Sequence, residues 1–147
     1  MEEIRDEFYV KVIQKRIDPN GDMTEIKKFW EKYWNEGYNG KLKDLNSNYM
    51  PLAIYSKYEG DQTKPFFLSI GQKTIDKNLC ENEKKEGIEI IKVPKQKYFI
   101  IEKSGKMPDV VIEAWQEVWR SNLNRSYIVD VEEYPDMNTL KLYIGIK

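Results

Sequence analysis

The feature that most constrains the fold of this 147-residue chain is an internal repeat. Apolar residues recur with helical spacing at residues 23–34 and again at residues 107–120, and each segment carries two tryptophans four residues apart. The corresponding pairs are Trp30 with Trp115 and Trp34 with Trp119. A chain that repeats its elements in the same order builds a related unit twice. We therefore expect two similar modules.

Strand-like segments surround both helices in the same order. One segment precedes each helix, at residues 8–13 and 97–102, and two follow it, at residues 49–58 and 65–74 and at residues 127–134 and 139–146. An extra strand is predicted at residues 88–93, a helix cap at Asp22 or Thr24, and loops at residues 37–48 and 81–87.

This order predicts the fold class. We expect one α+β domain over residues 1–147, made of two strand-helix-strand-strand modules at about residues 7–75 and 88–147. A pseudo-twofold axis relates the modules, the sheet is antiparallel, and the two main helices border a central cleft. A cleft between two halves is the expected place for a ligand.

Composition excludes several classes of protein. The chain has no histidine and one cysteine, Cys80, so His-dependent catalytic relays, His-containing zinc sites and internal disulfides are excluded. The 24 basic and 25 acidic residues give no basic face for nucleic acid, and no apolar run is long enough to span a membrane. These observations predict a cytoplasmic protein without cofactor or metal.

The penultimate strand carries the candidate site residues. Strand alternation places Asp130, Glu132 and Tyr134 on one face, and a carboxylate among aromatic rings suits a cationic ligand. The pattern alone is more typical of a solvated Glu132. It also admits Asp130 and Glu132 as a general acid-base pair, since their Cβ atoms would lie roughly 7 Å apart. Trp34 and Trp119 are expected to pack in the core, whereas Trp30 and Trp115 suit either packing or a pocket.

Several segments, in order along the chain, resemble the GyrI-like small-molecule-binding domain. They are the helix at residues 26–34, YMPLAIYSKYEGD at residues 49–61, FLSIG at residues 67–71, VPKQKY at residues 93–98, the helix at residues 115–119, and the strands at residues 125–134 and 140–146. This domain is also known as the effector-binding domain of bacterial transcription activators. The resemblance is greatest to its stand-alone branch and covers about residues 7–147.

The resemblance implies a site and a ligand class. Members bind hydrophobic, often cationic compounds in a central cleft, with a buried glutamate on the penultimate strand as counter-ion. The family pattern, an aromatic or aliphatic residue followed by Glu, any residue and Tyr, falls on residues 131–134, with Val131 where relatives often have Phe. The ligand-binding residues it implies are Glu132, Tyr134, Tyr98, Tyr55, Trp115 and Trp30.

The resemblance also leaves alternatives to binding. Some stand-alone relatives hydrolyse cyclopropane-bearing genotoxins, a role in which Glu132 would position water, and the name-giving member inhibits DNA gyrase. We favour a binding protein that senses or sequesters hydrophobic, cationic compounds. Residues 1–7 leave no room for a helix-turn-helix domain, so regulation would require a separate transcription regulator as partner.

Overall fold

The computed structural model describes residues 1–21, 24–42 and 50–147. The strands are β1 (Glu2–Arg5), β2 (Phe8–Ile17), β3 (Leu52–Ser56), β4 (Phe66–Thr74), β5 (Glu89–Val93), β6 (Gln96–Ser104), β7 (Arg125–Asp136) and β8 (Thr139–Ile146). The helices are α1 (Thr24–Asn35), α2 (Tyr38–Leu42), α3 (Glu81–Lys85) and α4 (Asp109–Arg120).

One antiparallel sheet joins the eight strands in the order β1-β6-β8-β7-β3-β4-β2-β5. The first module is β2-α1-β3-β4 and the second is β6-α4-β7-β8, and in each module the last strand lies between the other two. The modules meet where β3 pairs with β7. The predicted α+β fold of two strand-helix-strand-strand modules is confirmed, while the domain and repeat bounds stay predictions.

The two outer strands exchange partners between modules. β1, which the sequence did not predict, precedes the first module but pairs with β6 of the second. β5 precedes the second module but pairs with β2 of the first. Val10, Tyr98 and Val131 have no exposed surface, although their cluster contains no helix residue. A sheet face can bury its side chains in this way only if the sheet curls on itself, as a half-barrel does.

The other face of the sheet is covered by α1 and α4. Phe29 and Tyr33 of α1 pack on β2, β3 and β4, while Val110, Ala114 and Val118 of α4 pack on β6 and β8. Side chains four residues apart share one face of a helix, which explains why these residues are buried together. Burial of each large apolar side chain contributes about 1.5–3 kcal/mol. The packed helices fix both walls of the cleft.

Two predicted loops contain short helices instead. In α2, Tyr38 and Leu42 are buried one turn apart, and the Tyr38 hydroxyl donates to the Glu86 carbonyl at 2.8 Å. In α3, the Cys80 N–H donates to Glu83 Oε1 at 3.0 Å, the reciprocal contact of a capping box. The predicted cap Asp22, the rest of the loop at residues 43–48, and Tyr49 lie outside the described residues.

Gly71 allows two central strands to approach closely. It pairs with Val12 on one side and Leu52 on the other. A Cβ atom built on Gly71 would lie 1.8 Å from the Lys11 carbonyl oxygen, so no larger residue fits this backbone. The FLSIG segment therefore holds β4 close to β2. β3 pairs with the other side of β4, so the same segment positions the floor of the cleft.

Candidate functional site

A cleft of about 630 Å³ opens between α1 and α4 above the junction of the modules. This volume falls within the roughly 300–1,000 Å³ of small-molecule pockets. Its lining is mostly apolar and aromatic and includes Trp30, Tyr55, Val111, Glu132 and Tyr134. Lys27 also borders the cleft, but its side chain is exposed at the rim. The cavity therefore presents one buried carboxylate inside an aromatic wall.

Glu132 lies on β7 opposite Ala53 of β3, so the central strand pairing positions it on the cleft floor. The Tyr55 hydroxyl and the Trp115 Nε1–H both donate to Glu132 Oε2 at 2.7 Å, and the Tyr134 hydroxyl donates to Oε1 at 2.7 Å. Only 1% of the residue is exposed. Its partners are neutral, and it forms no ion pair with any residue that the structure describes.

This environment shifts the pKa values of Glu132 and of the tyrosines that contact it. Burial raises the pKa of Glu132, and hydrogen bonds from Tyr55, Trp115 and Tyr134 offset only part of that rise. Burial and the neighbouring carboxylate raise the pKa of the Tyr55 and Tyr134 phenols well above 10, so both remain donors. A buried carboxylate without a cation is costly. A bound cation would remove that cost.

The aromatic walls join the two modules. Trp30 of the first module packs edge-on against Tyr134 of the second, with ring centroids 6.2 Å apart. Trp115 of the second module packs against Tyr55 of the first at 4.9 Å. Each pair places a helix tryptophan beside a tyrosine from the other module's central strand. The ring system around Glu132 is therefore complete only when both modules are in place.

Five of the six sequence-predicted site residues are brought together: Glu132, Tyr134, Tyr55, Trp115 and Trp30. Tyr98 is not. Its pairing with Gly145 on β8 points its side chain to the helix-free face, where it is fully buried and packs edge-on at 5.8 Å from Tyr143. Alternation along β6 directs Tyr98 to this face and away from the cleft, so the structure does not bring it together with the other five residues.

The outer tryptophans also differ from expectation. Trp34 is 46% and Trp119 is 60% exposed, so neither is the core residue that the repeat suggested. One turn earlier on each helix, Trp30 and Trp115 point toward the sheet. The sequence also missed the cleft residues Ile26, Met50, Met107, Val111 and Ile112. Ile26 and Val111 lie beside the buried helix faces, and only the spacing of the two helices shows that they border a cavity.

Asp130 belongs to a separate, charge-balanced network. Its carboxylate accepts from Arg125 Nη2 at 2.7 Å, from the Gly145 N–H at 2.8 Å, and from the Tyr58 hydroxyl. None of these donors contacts Glu132. Asp130 and Glu132 share a face as predicted, but the guanidinium of Arg125 already neutralises Asp130.

The described ranges contain no group of three or more His, Cys, Asp or Glu residues that could hold a metal ion. In the same part of the chain, no helix has the length and apolar character needed to cross a membrane.

Known proteins with the same architecture match along nearly the whole chain. The family model described as Cass2, integron-associated effector binding protein, matches residues 3–146. An integron cassette protein from the mobile metagenome of Vibrio cholerae is 27% identical, with a TM-score of 0.81, and the match covers 100% of this chain and 95% of that protein.

Two further relatives are more distant in sequence. SAV2435, whose structure was solved bound to tetraphenylphosphonium, is 16% identical with a TM-score of 0.74, and the match covers 100% of this chain and 93% of SAV2435. YobU of Bacillus subtilis (strain 168), named as a candidate transcriptional regulator, is 23% identical over 138 residues, which are 86% of this chain and 84% of YobU.

Proposed function

Because this chain belongs to the Cass2 family of integron-associated effector binding proteins, we propose that it binds hydrophobic cations in the cleft between α1 and α4, with Glu132 as counter-ion. The observation that carries the proposal is the state of Glu132. The residue is 1% exposed and lines a cleft of about 630 Å³, and its carboxylate accepts from three neutral donors without an ion-pair partner among the described residues.

Charge and shape act together in this proposal. The rings of Trp30, Trp115, Tyr55 and Tyr134 bury the apolar surface of a ligand and offer cation-π contacts. Glu132 supplies a full negative charge where water is excluded, and electrostatic attraction is stronger there than in solvent. The three donors keep the carboxylate in place while the cleft is empty. An anion of the same size would be repelled.

Tetraphenylphosphonium is a suitable probe, since a protein of the same fold was solved with it. We expect the purified protein to bind this cation and to bind tetraphenylborate, an anion of the same shape, at least a hundredfold more weakly. Glu132→Gln should weaken phosphonium binding by roughly ten- to a hundredfold, the effect of losing a desolvated charge partner. Isothermal titration calorimetry at pH 8 measures both affinities.

The matched control is Glu113→Gln, which removes a negative charge from the exposed face of α4. It should leave the phosphonium affinity within about twofold of wild type, because exposed charges interact weakly. Equal affinity for the phosphonium and the borate would contradict the counter-ion role. Equal losses in the Glu132 and Glu113 variants would contradict it as well.

Binding is favoured over hydrolysis by the arrangement of the carboxylates. Both oxygens of Glu132 are occupied as acceptors, and Asp130 is neutralised by Arg125. Among the residues that the structure describes, no second free carboxylate is therefore in place to act as the partner acid or base. Turnover of a cyclopropane-bearing compound by the wild-type protein but not by Glu132→Ala would support the hydrolytic alternative. A cytoplasmic location, a separate transcription regulator and a gyrase partner remain predictions.

A further inference from the structure

A second compartment adjoins the cleft on its Trp115 side. This compartment has a volume of about 230 Å³ and shares the walls Ile26, Tyr55, Val111 and Ile112 with the main cleft. A pocket for a separate drug-sized ligand has roughly 300 Å³ or more. The smaller volume and the shared walls indicate an extension of one site, able to hold part of a ligand whose remainder occupies the main cleft.

The two compartments differ in charge. Glu132 lines the main cleft, whereas Arg125 lines the second compartment. Arg125 is 8% exposed and donates from Nη2 to Asp130 at 2.7 Å. Its Nε is buried, whereas Nη1 is not enclosed and forms no hydrogen bond with a described residue. Its charge is therefore balanced, but the guanidinium retains unused donors. A group that enters here meets guanidinium N–H donors instead of a carboxylate.

Aromatic side chains complete the second compartment. Tyr58 and Phe66 pack together with ring centroids 5.8 Å apart, and Trp119 lies 6.3 Å from Trp115 at an interplanar angle of 34°. Trp119 is 60% exposed and forms the outer wall, which explains why a large apolar side chain is kept at the surface. These walls suit an aromatic ring, which would cover the exposed face of Trp119.

We propose that the ligands are elongated monocations whose cationic centre lies beside Glu132, and whose uncharged aromatic end, carrying a hydrogen-bond acceptor, occupies the second compartment against Arg125. This inference rests on the proposed function and narrows its ligand class. A second positive charge at the aromatic end would face Arg125 and be disfavoured. A carbonyl or ether oxygen there would accept from the unused guanidinium donors.

Three phosphonium probes test the proposal. Tetraphenylphosphonium is the compact reference, and (4-benzoylbenzyl)triphenylphosphonium and (4-benzylbenzyl)triphenylphosphonium are elongated cations that differ only in a carbonyl against a methylene. We expect the ketone to bind about tenfold more tightly than the methylene analogue, the gain from one hydrogen bond to a charged donor. Calorimetry with the wild-type protein provides the three affinities.

Two variants assign the effect to the second compartment. Arg125→Lys keeps the charge but loses the fork of donors, and should reduce the preference for the ketone from about tenfold to less than about threefold. Trp119→Ala changes an exposed side chain and should weaken both elongated probes at least fivefold more than tetraphenylphosphonium. Circular dichroism confirms that each variant is folded, and Trp119→Ala serves alone if Arg125→Lys does not fold.

The outcomes separate the two proposals. Equal affinity for ketone and methylene, or an equal loss for all three probes in Trp119→Ala, would overturn the second compartment while phosphonium binding stands. Binding of none of the three cations would overturn the proposed function and this inference together.

Discussion

Two adjacent glutamates on β7 lie in opposite electrostatic environments. Glu132 faces the cleft and has only neutral donors, so burial raises its pKa. Glu133 faces the other side of the sheet, where burial also disfavours its charge, but Lys73 and Arg5 outweigh that effect and hold its pKa below the usual value. Arg5 Nη2 donates to Glu133 Oε1 at 2.8 Å, and Lys73 Nζ lies 3.2 Å from it. Two cations therefore balance the charge of Glu133, whereas Glu132 has no charge partner in the part of the chain that the structure describes.

This contrast predicts opposite effects of two matched substitutions on stability. A carboxyl whose pKa is raised by folding loses stability as pH rises from about 4.3, the ordinary value, through its folded pKa. Glu132→Gln removes that loss. The free energy of unfolding of the variant, relative to that of wild type, should therefore increase as pH rises from 4 to 8, by about 1.4 kcal/mol per unit of pKa shift. The amide is accommodated, since its oxygen can accept from Tyr55 and Trp115 and its NH₂ can donate to the Tyr134 oxygen.

Glu133→Gln should do the reverse. A depressed pKa contributes stability that is present above about pH 4.3 and lost as pH falls. The variant should be less stable than wild type by about 1–3 kcal/mol at pH 7, with the difference shrinking toward pH 4. Urea unfolding of ligand-free protein at several pH values measures both variants. The same sign of pH dependence in the two variants would contradict the assigned environments.

At the scale of elements, the sequence predicted those helices and strands that are long enough to show a periodic apolar pattern. The helices α1 and α4 appear close to the predicted positions because three turns of apolar spacing are a strong signal. The helices α2 and α3 have five residues each, too few to show a period, and no residue of α3 is buried. β1 is a short strand, and what defines it is its pairing with β6, a contact about ninety residues away in sequence.

The candidate site shows the same limit. Alternation predicts Asp130, Glu132 and Tyr134 on a common face. In the structure Glu132 and Tyr134 line the cleft together, while Asp130 is hydrogen-bonded to Arg125. Alternation could not place Tyr98, because β6 buries side chains on both faces and either face satisfies the apolar pattern. The sequence pattern also assigned Trp34 to the core, although Trp34 is 46% exposed, because two tryptophans one turn apart on the same helix share one face. Deciding these positions requires the curl of the sheet and the spacing between helices.

The helix α3 gives a prediction at this scale. Glu83 accepts from the Cys80 N–H at 3.0 Å and from Lys11 Nζ at 2.9 Å, so it both caps the helix and ties it to β2. Glu83→Ala should cost roughly 1–2 kcal/mol and speed hydrogen exchange of the Lys84 amide, which bonds to the Cys80 carbonyl.

Glu81→Ala is the control for that change. The Glu81 side chain is 82% exposed, and its contact with Lys84 is 3.7 Å long, so its loss should have little effect on stability. Similar exchange rates in the two variants would show that α3 does not depend on the Glu83 cap.

At the scale of the whole molecule, the proposed ligand site lies at the junction that joins the two modules of the fold. β3 and β7 pair at the centre of the sheet, and Tyr55 of the first module donates to Glu132 of the second. The exchanged strands β1 and β5 tie each module to the other at the sheet edges. A ligand in the proposed site would contact both modules, and its binding free energy is therefore expected to stabilise the entire fold.

This coupling gives the last prediction. A ligand that binds only the folded state adds about 2.7 kcal/mol to the free energy of unfolding at a hundred times its Kd. Tetraphenylphosphonium should add this amount in a single transition, with tryptophan fluorescence and far-UV circular dichroism reporting the same midpoint. At a fixed probe concentration the increment should fall as pH is lowered through the raised pKa of Glu132, because a protonated carboxyl offers the cation no charge. Two separated transitions, only one of them shifted by the cation, would place the site within one module and contradict the shared junction.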